Sequence, residues 1–225
     1  MSLHLALART HEALLNYESS SLCFKRALTL DPSNVEALSS LPTTLFYDQH
    51  PELCIKYYKR LLQFGFTKSA ELWNNLGLVT FYAGQYDLCL PLFRKALECC
   101  VDEDVTSDVW YNIGLVYLNL GDNDVSYRCF RIAVMVNQSN SEAWTNLGVV
   151  EEMLYKDVEA ALNCFSMSRQ VGEIYEACFN MGLLAYRRGD IETAFEASSR
   201  SLDIYPKHEG SREILLKCQQ TLGGR

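Results

Sequence analysis

The chain has 225 residues, of which 48% are hydrophobic and 21% charged, ample for a packed core and far from a disordered composition. Its formal net charge is −8 and no lysine or arginine cluster stands out along the sequence, which argues against a nucleic-acid backbone or an anionic membrane as a direct partner. No uncharged apolar run approaches the roughly 20 residues needed to span a bilayer, so any membrane link is expected to be indirect.

In chain order the residues divide into units near 1–34, 35–69, 70–106, 107–140, 141–174 and 175–208, each expected to hold two antiparallel helices, with a last segment over 209–222. The first unit begins in mid-pattern at Met1. Leu3, Leu5 and Leu7 then lack a polar cover, which points to a longer protein or to a neighbour on that edge. It ends on Asp31-Pro32-Ser33-Asn34, a helix stop followed by a new start. The second unit carries Pro42 inside its first helix. An interior proline costs about 3 kcal/mol and removes a backbone donor, so a kink or a late helix start is expected there.

The third, fourth and fifth units open on near-copies of one phrase: Trp73-Asn74-Asn75-Leu76-Gly77, Trp110-Tyr111-Asn112-Ile113-Gly114 and Trp144-Thr145-Asn146-Leu147-Gly148. The sixth has a weaker copy, Cys178-Phe179-Asn180-Met181-Gly182. The glycines lie 37, 34 and 34 residues apart. A period near 34 residues with a Trp-x-x-Leu-Gly core marks tetratricopeptide (TPR) repeats. The expected fold is therefore all-α, a single-domain right-handed α-solenoid of about six TPR helix pairs with a C-terminal capping helix. Gly84, Gly121 and Gly189 should end first helices. Ile214, Leu215, Cys218 and Leu222 should let the last segment cover the sixth unit.

Two further columns support this phase. Position 24 of each unit reads Phe24, Tyr58, Phe93, Phe130, Phe165 and Ser198, and position 27 reads Ala27, Leu61, Ala96, Ala133, Ser168 and Ser201, with one inserted residue in the fifth unit. Looser packing is expected in the second and sixth units, where Leu61 and Ser198 break the pattern. The nine cysteines include no Cys-x-x-Cys. At Cys54, Cys89, Cys164 and Cys178 they stand where a small buried hydrophobe fits, and are expected to be reduced thiols in the cytosol.

No motif of catalytic or metal chemistry is found in the sequence. His11-Glu12 has no second histidine at zinc-protease spacing, and no phosphate loop, dinucleotide fingerprint or Gly-x-Ser-x-Gly occurs. His4 and His11 are about 10.5 Å apart along a helix, too far to share an ion. The chain is not expected to be an enzyme, and no cofactor is expected.

Binding surfaces are the better candidates. Asn75, Asn112, Asn146 and Asn180 form a column at position 6, and a primary amide both donates and accepts. The column could pair with the backbone of an extended peptide, or simply link neighbouring helices. Position 2 gives Glu36, Glu71, Asp108, Glu142 and Glu176. A carboxylate in a helix's first turn complements the backbone dipole, while the same stripe would select a basic ligand and repel an acidic one. A chaperone-type carboxylate clamp, which needs lysines and arginines in the groove, is excluded. Position 9 and its neighbours (Leu78, Leu115, Val149, Leu183, Phe81, Tyr82, Leu118, Met153, Tyr186) belong partly to the core and partly to an apolar inner wall.

Several non-consensus stretches carry a more specific likeness. These are Phe46-Tyr47-Asp48-Gln49-His50-Pro51-Glu52, Tyr57-Tyr58-Lys59-Arg60-Leu61-Leu62-Gln63, Phe81-Tyr82-Ala83 after the first tryptophan phrase, Asp108-Val109 before the second, and Cys129-Phe130-Arg131. Together they resemble the C-terminal half of the tetratricopeptide repeat protein eight family, the TPR subunits of the BBSome tied to Bardet–Biedl syndrome. The resemblance implies a non-enzymatic scaffold in a ciliary coat that carries membrane-protein cargo. It implies β-propeller-containing and TPR subunits as partners, with an Arf-like GTPase and membrane cargo engaged only indirectly. It also implies residence in the cytoplasm, cilium, basal body and centrosomal region.

Overall fold

The computed structural model describes residues 2–223, with side chains placed for 2–221. Met1 and the side chain of Leu222 lie outside the described residues. Thirteen helices and no strand are found among the described residues, as the repeat pattern predicts. They pair as α1 (Ser2–Ala13) with α2 (Tyr17–Leu30), α3 (Val35–Tyr47) with α4 (Pro51–Gln63), and α5 (Ala70–Tyr82) with α6 (Tyr86–Cys99). Then come α7 (Glu103–Asn119) with α8 (Asn123–Val136), α9 (Ser141–Tyr155) with α10 (Val158–Val171), and α11 (Tyr175–Arg187) with α12 (Ile191–Ile204). A last helix, α13 (Glu209–Gly223), follows. The chain divides into two compact units between Val101 and Asp102, the first holding α1–α6 and the second α7–α13.

Local chemistry accounts for the helix ends. Asn16, Asn34, Ser69, Asp122, Asn140, Asp157 and Asp190 each precede a helix, and their side-chain oxygens accept a hydrogen bond from an N–H of its first turn. At the C-terminal ends Gly84, Gly121 and Gly189 take positive φ of +72°, +81° and +78°, the left-handed turn glycine makes without a Cβ clash. The helix α3 starts on time at Val35 and runs through Pro42 to Tyr47, so the expected late start does not occur. Pro42 is fully buried, and its carbonyl accepts a hydrogen bond from the Cys54 thiol of α4 at 3.1 Å.

The seam between paired helices repeats one contact. A Cβ added to Gly77, Gly114 or Gly148 would lie 2.7, 2.6 or 2.7 Å from the ring of Phe93, Phe130 or Phe165. Glycine is thus the residue that lets each first helix rest on the aromatic of its second helix. All six position-24 residues and all six position-27 residues are buried. In the first unit Phe24, Leu38, Leu41, Tyr58, Leu72 and Val79 join one core. In the second, Phe130, Ala133 and Val150 form one cluster, and Phe165, Met181 and Leu184 form the next. Ile214 and Cys218 of α13 are buried with Ala185 and Ala194, so the last helix covers α11 and α12 as a cap should. Leu5 is buried against the first core, unlike the exposed Leu3 and Leu7.

The sixth pair solves its missing aromatic with polar groups. Ser201 Oγ donates to the Tyr175 carbonyl at 3.0 Å and accepts from Ser211 Oγ at 2.8 Å. Ser198 Oγ, against Gly182, is buried without a partner among the described residues. A lone buried hydroxyl loses its hydration for nothing, whereas deleting a bonded one strands its partners at about 1–3 kcal/mol. Ser198→Ala is therefore expected to leave the thermal midpoint unchanged or higher, while Ser201→Ala lowers it. Equal losses in both variants would contradict this reading.

Candidate protein-binding site

In the second unit the first helices of its pairs, α7, α9 and α11, present a hollow of about 380 Å3. Its lining includes Tyr111 of α7; Glu142, Thr145 and Asn146 of α9; and Asn180 of α11. The turn and first residues before and within α11 add Glu173, Ile174, Tyr175 and Glu176. Four of the nine residues in the asparagine and acidic columns, Asn146, Asn180, Glu142 and Glu176, thus meet in one place. Asn75 and Glu71 belong to α5 in the first unit and line no part of it, and Asn112 is buried.

The asparagine column is not uniform. Asn146 Nδ2 donates to the Tyr111 hydroxyl at 3.3 Å and to the Glu142 carbonyl at 3.2 Å. Its amide therefore ties α9 to α7, the helix-linking role that the sequence left open. Asn180 lines the hollow with no hydrogen-bond partner among the described residues. The two amides have different work, one holding the wall and one facing the space. Thr145 is also wall: its hydroxyl pairs with Ser168 Oγ at 2.8 Å and donates to the Ser141 carbonyl at 3.0 Å.

The acidic column departs from the dipole explanation at one position. Glu36, Glu71, Glu142 and Glu176 lie in first helical turns. Asp108 does not, because Asp102 caps α7 early and places Glu103 and Asp104 in its first turn instead. The helix dipole acts only within that turn. Asp108 instead accepts from Asn140 Nδ2 at 3.3 Å. Partial desolvation, followed by the nearby carboxylates Glu142, Asp104 and Asp102, holds its carboxyl above the usual carboxylate range. The sign is fixed: an acid with a raised folded-state pKa favours the fold while protonated and loses that contribution as pH rises through it. Asp108→Asn is expected to raise the thermal midpoint at neutral pH, with the gain fading on acidification into the carboxylate range. A gain independent of pH would contradict the cause. In the first unit, Glu36 is engaged in an ion pair with Arg9.

A smaller hollow of about 210 Å3 adjoins at Asn180 and is lined by Val149, Met153, Phe165, Leu183 and Leu184, with Glu152 and Arg187 across it at 3.5 Å. This divides the position-9 set: Met153 is 44% exposed and Val149 and Leu183 half-buried, and these three belong to the inner wall. Three carboxylates, a free amide and the Tyr111 and Tyr175 rings thus sit beside an apolar step. Among the described residues no lysine or arginine lines the larger hollow. Such a surface suits a basic side chain flanked by an apolar one. Repeat phase pointed to Glu142, Asn146, Glu176 and Asn180, but not to Glu173 and Tyr175, which stand at the edge of a unit where no repeated column runs.

The cysteines make no disulfide, and burial pushes the thiols of Cys54, Cys129 and Cys164 up to about 12, 11 and 11. Thiolates are the reactive form, so these three act as small core residues. No group of acidic, histidine and cysteine side chains that could hold a metal ion is found among the described residues.

Comparison with known proteins agrees with the repeat reading. A tetratricopeptide repeat model matches residues 2–34, 107–140 and 175–208. The chain is 32% identical to the mouse Tetratricopeptide repeat protein 8 over 214 residues, covering 95% of this chain and 41% of that protein. To the human protein of the same name it is 33% identical over 214 residues, covering 95% and 39%. To that of Caenorhabditis elegans it is 35% identical over 154 residues, covering 68% and 30%. The chain thus spans less than half the length of these relatives. Among solved structures, Pseudomonas aeruginosa PilF superposes with a TM-score of 0.69 at 20% identity, covering 96% of both chains. A chain of the APC/C hetero-tetramer Cut9–Hcn1 gives 0.74 at 16% identity, covering 96% of this chain and 42% of that one. Such distant structural likeness bears on the fold alone. The repeated helix pairs, their glycine-on-aromatic seams and these homologues make the chain a member of the tetratricopeptide repeat proteins, a protein-interaction scaffold related to the proteins named Tetratricopeptide repeat protein 8.

Proposed function

We propose that the chain is a non-enzymatic scaffold subunit of a BBSome coat, serving ciliary membrane-protein trafficking by holding other subunits on its helical surfaces. The observation that supports this most is the similarity to Tetratricopeptide repeat protein 8 across 95% of the chain, with the non-consensus stretches around Phe46–Glu52 and Asp108–Gly114. The partners are other coat subunits, both β-propeller-containing and TPR. An Arf-like GTPase and membrane cargo are reached only through them, and the protein works in the cytoplasm and at the cilium and its basal body. Purification of the tagged full-length protein from ciliated cells tests the reading. β-Propeller subunits should co-purify in equal amounts, and their absence would reject coat membership.

A second reading is favoured by the hollow of the second unit: a free-standing adaptor that takes an extended, basic peptide across Asn180, Glu142 and Glu176. A polar rim with one unengaged amide and an apolar step is what such a ligand needs. In the same purification, a peptide ligand recovered below stoichiometry and lost in Asn180→Ala/Glu176→Gln, with no coat subunits, would favour the adaptor.

A further inference from the structure

The first unit carries a surface opposite in character to that hollow. Between α4 and α6, with α5 as the floor, two adjoining depressions share Ile55, Lys59 and Gln85. One, of about 280 Å3, is walled by Leu76, Leu88, Pro91 and Leu92. The other, of about 550 Å3, opens onto Lys56, Lys59 and Arg60, with Glu52 as its carboxylate. Leu76 and Ile55 are buried, whereas Leu88 is 53% exposed. Lys56 and Lys59 are exposed and make no ion pair among the described residues. Glu52 faces the His50 ring at 3.5 Å, and the Arg60 guanidinium lies 5.9 Å from the Phe64 ring centre. In a chain of formal net charge −8 this is a local inversion of sign beside an apolar slot.

We propose that this furrow receives an acidic amphipathic segment of a partner protein. An apolar side chain sits between Leu76, Leu88 and Leu92, and flanking carboxylates meet Lys56, Lys59 and Arg60. Charge complementarity selects the occupant. A second copy joined through the same face would set cations against cations, since a two-fold contact pairs a patch with itself. A bilayer is disfavoured too. Three cations fall short of the roughly four to eight that read as a lipid-binding cluster, and a flat surface leaves a slot empty. The proposal does not depend on coat membership.

The test uses the whole 225-residue chain and a fluorescent peptide with leucines at i, i+3, i+4 and i+7 separated by glutamates, alongside its lysine-for-glutamate counterpart. Anisotropy should show binding of the acidic peptide alone, weakening as salt rises. Lys56→Glu/Lys59→Glu should weaken it at least about tenfold, and Leu88→Asp should also weaken it, with helical circular dichroism unchanged in both variants. Equal binding of the two peptides, no binding of either, or no effect of the substitutions would overturn the proposal. So would a dimer in sedimentation that the lysine reversals dissolve, which would make a second copy the occupant. Reversal-sensitive binding to phosphatidylserine vesicles without peptide binding would make it a membrane.

Discussion

Phe130→Ala is expected to destabilise the second unit by about 3–5 kcal/mol, the usual cost of emptying a buried aromatic site. Phe130 is fully buried, lies 5.8 Å from the Tyr111 ring and fills the space above Gly114. The reverse error is made at Gly114. A Cβ there would stand 2.6 Å from Phe130 Cε1, closer than real carbon atoms approach, and the ring is boxed in. Gly114→Val is expected to cost about 1–3 kcal/mol by overpacking. The two losses should not add. With Phe130 cut to alanine the valine gains room, so the double variant should be more stable than the sum predicts, by about 1–3 kcal/mol. Chemical unfolding of the four proteins measures this directly. Strict additivity would show that glycine and aromatic do not share the seam.

Ala133→Arg is expected to be the most damaging single change on this surface of α8, at about 4 kcal/mol or more. Ala133 is fully buried, and its carbonyl accepts from Ser107 Oγ at 2.9 Å. That same hydroxyl accepts from Asn140 Nδ2, also at 2.9 Å, so three segments meet where the guanidinium would enter. The substitution adds overpacking to an unpaired buried charge, and the latter alone costs about 3–5 kcal/mol. Against a typical total stability of about 5–15 kcal/mol, the unit should be barely folded at ordinary temperature. Met135, two residues along the same helix, is 73% exposed, and Met135→Arg should stay within about 0.5 kcal/mol of the parent. A thermal melt that ranks the two variants equally would show that the repeat phase is wrong on α8.

Helix pairing could be read from the sequence because each signal is local and repeated. Trp73 and Trp144 illustrate it: each indole N–H donates at 2.9 Å to a carbonyl six residues earlier, Thr67 and Gln138, locking the turn between pairs. Turn glycines, capping residues and the small-against-aromatic columns obey the same short-range geometry. Pro42 shows where local rules fall short. Its intrinsic cost predicts a kink or a late start, yet α3 begins at Val35, with Pro42 buried in the packed pair and its carbonyl accepting from the Cys54 thiol.

The binding surfaces were legible only in part. Repeat phase placed Asn146 and Asn180 in one column but could not say that one amide is engaged with Tyr111 while the other is not. It assigned Asp108 to a first turn, and an early cap at Asp102 moved it out. Lys56, Lys59 and Arg60 share one face of α4 by their spacing alone, but the apolar slot beside them, walled by Leu88 and Leu92 of α6, exists only where the two helices pack over α5.

By itself, then, the order of residues determined that this is an array of helix pairs, how many there are and which faces are apolar, since these follow from 3.6-residue periodicity and backbone conformational limits. Only the tertiary structure decided which polar side chains are already satisfied by a neighbouring helix and which are left to meet a partner. That depends on distances of a few ångströms between residues far apart in the chain, such as Tyr111 and Asn146, 35 residues apart, which no local pattern encodes.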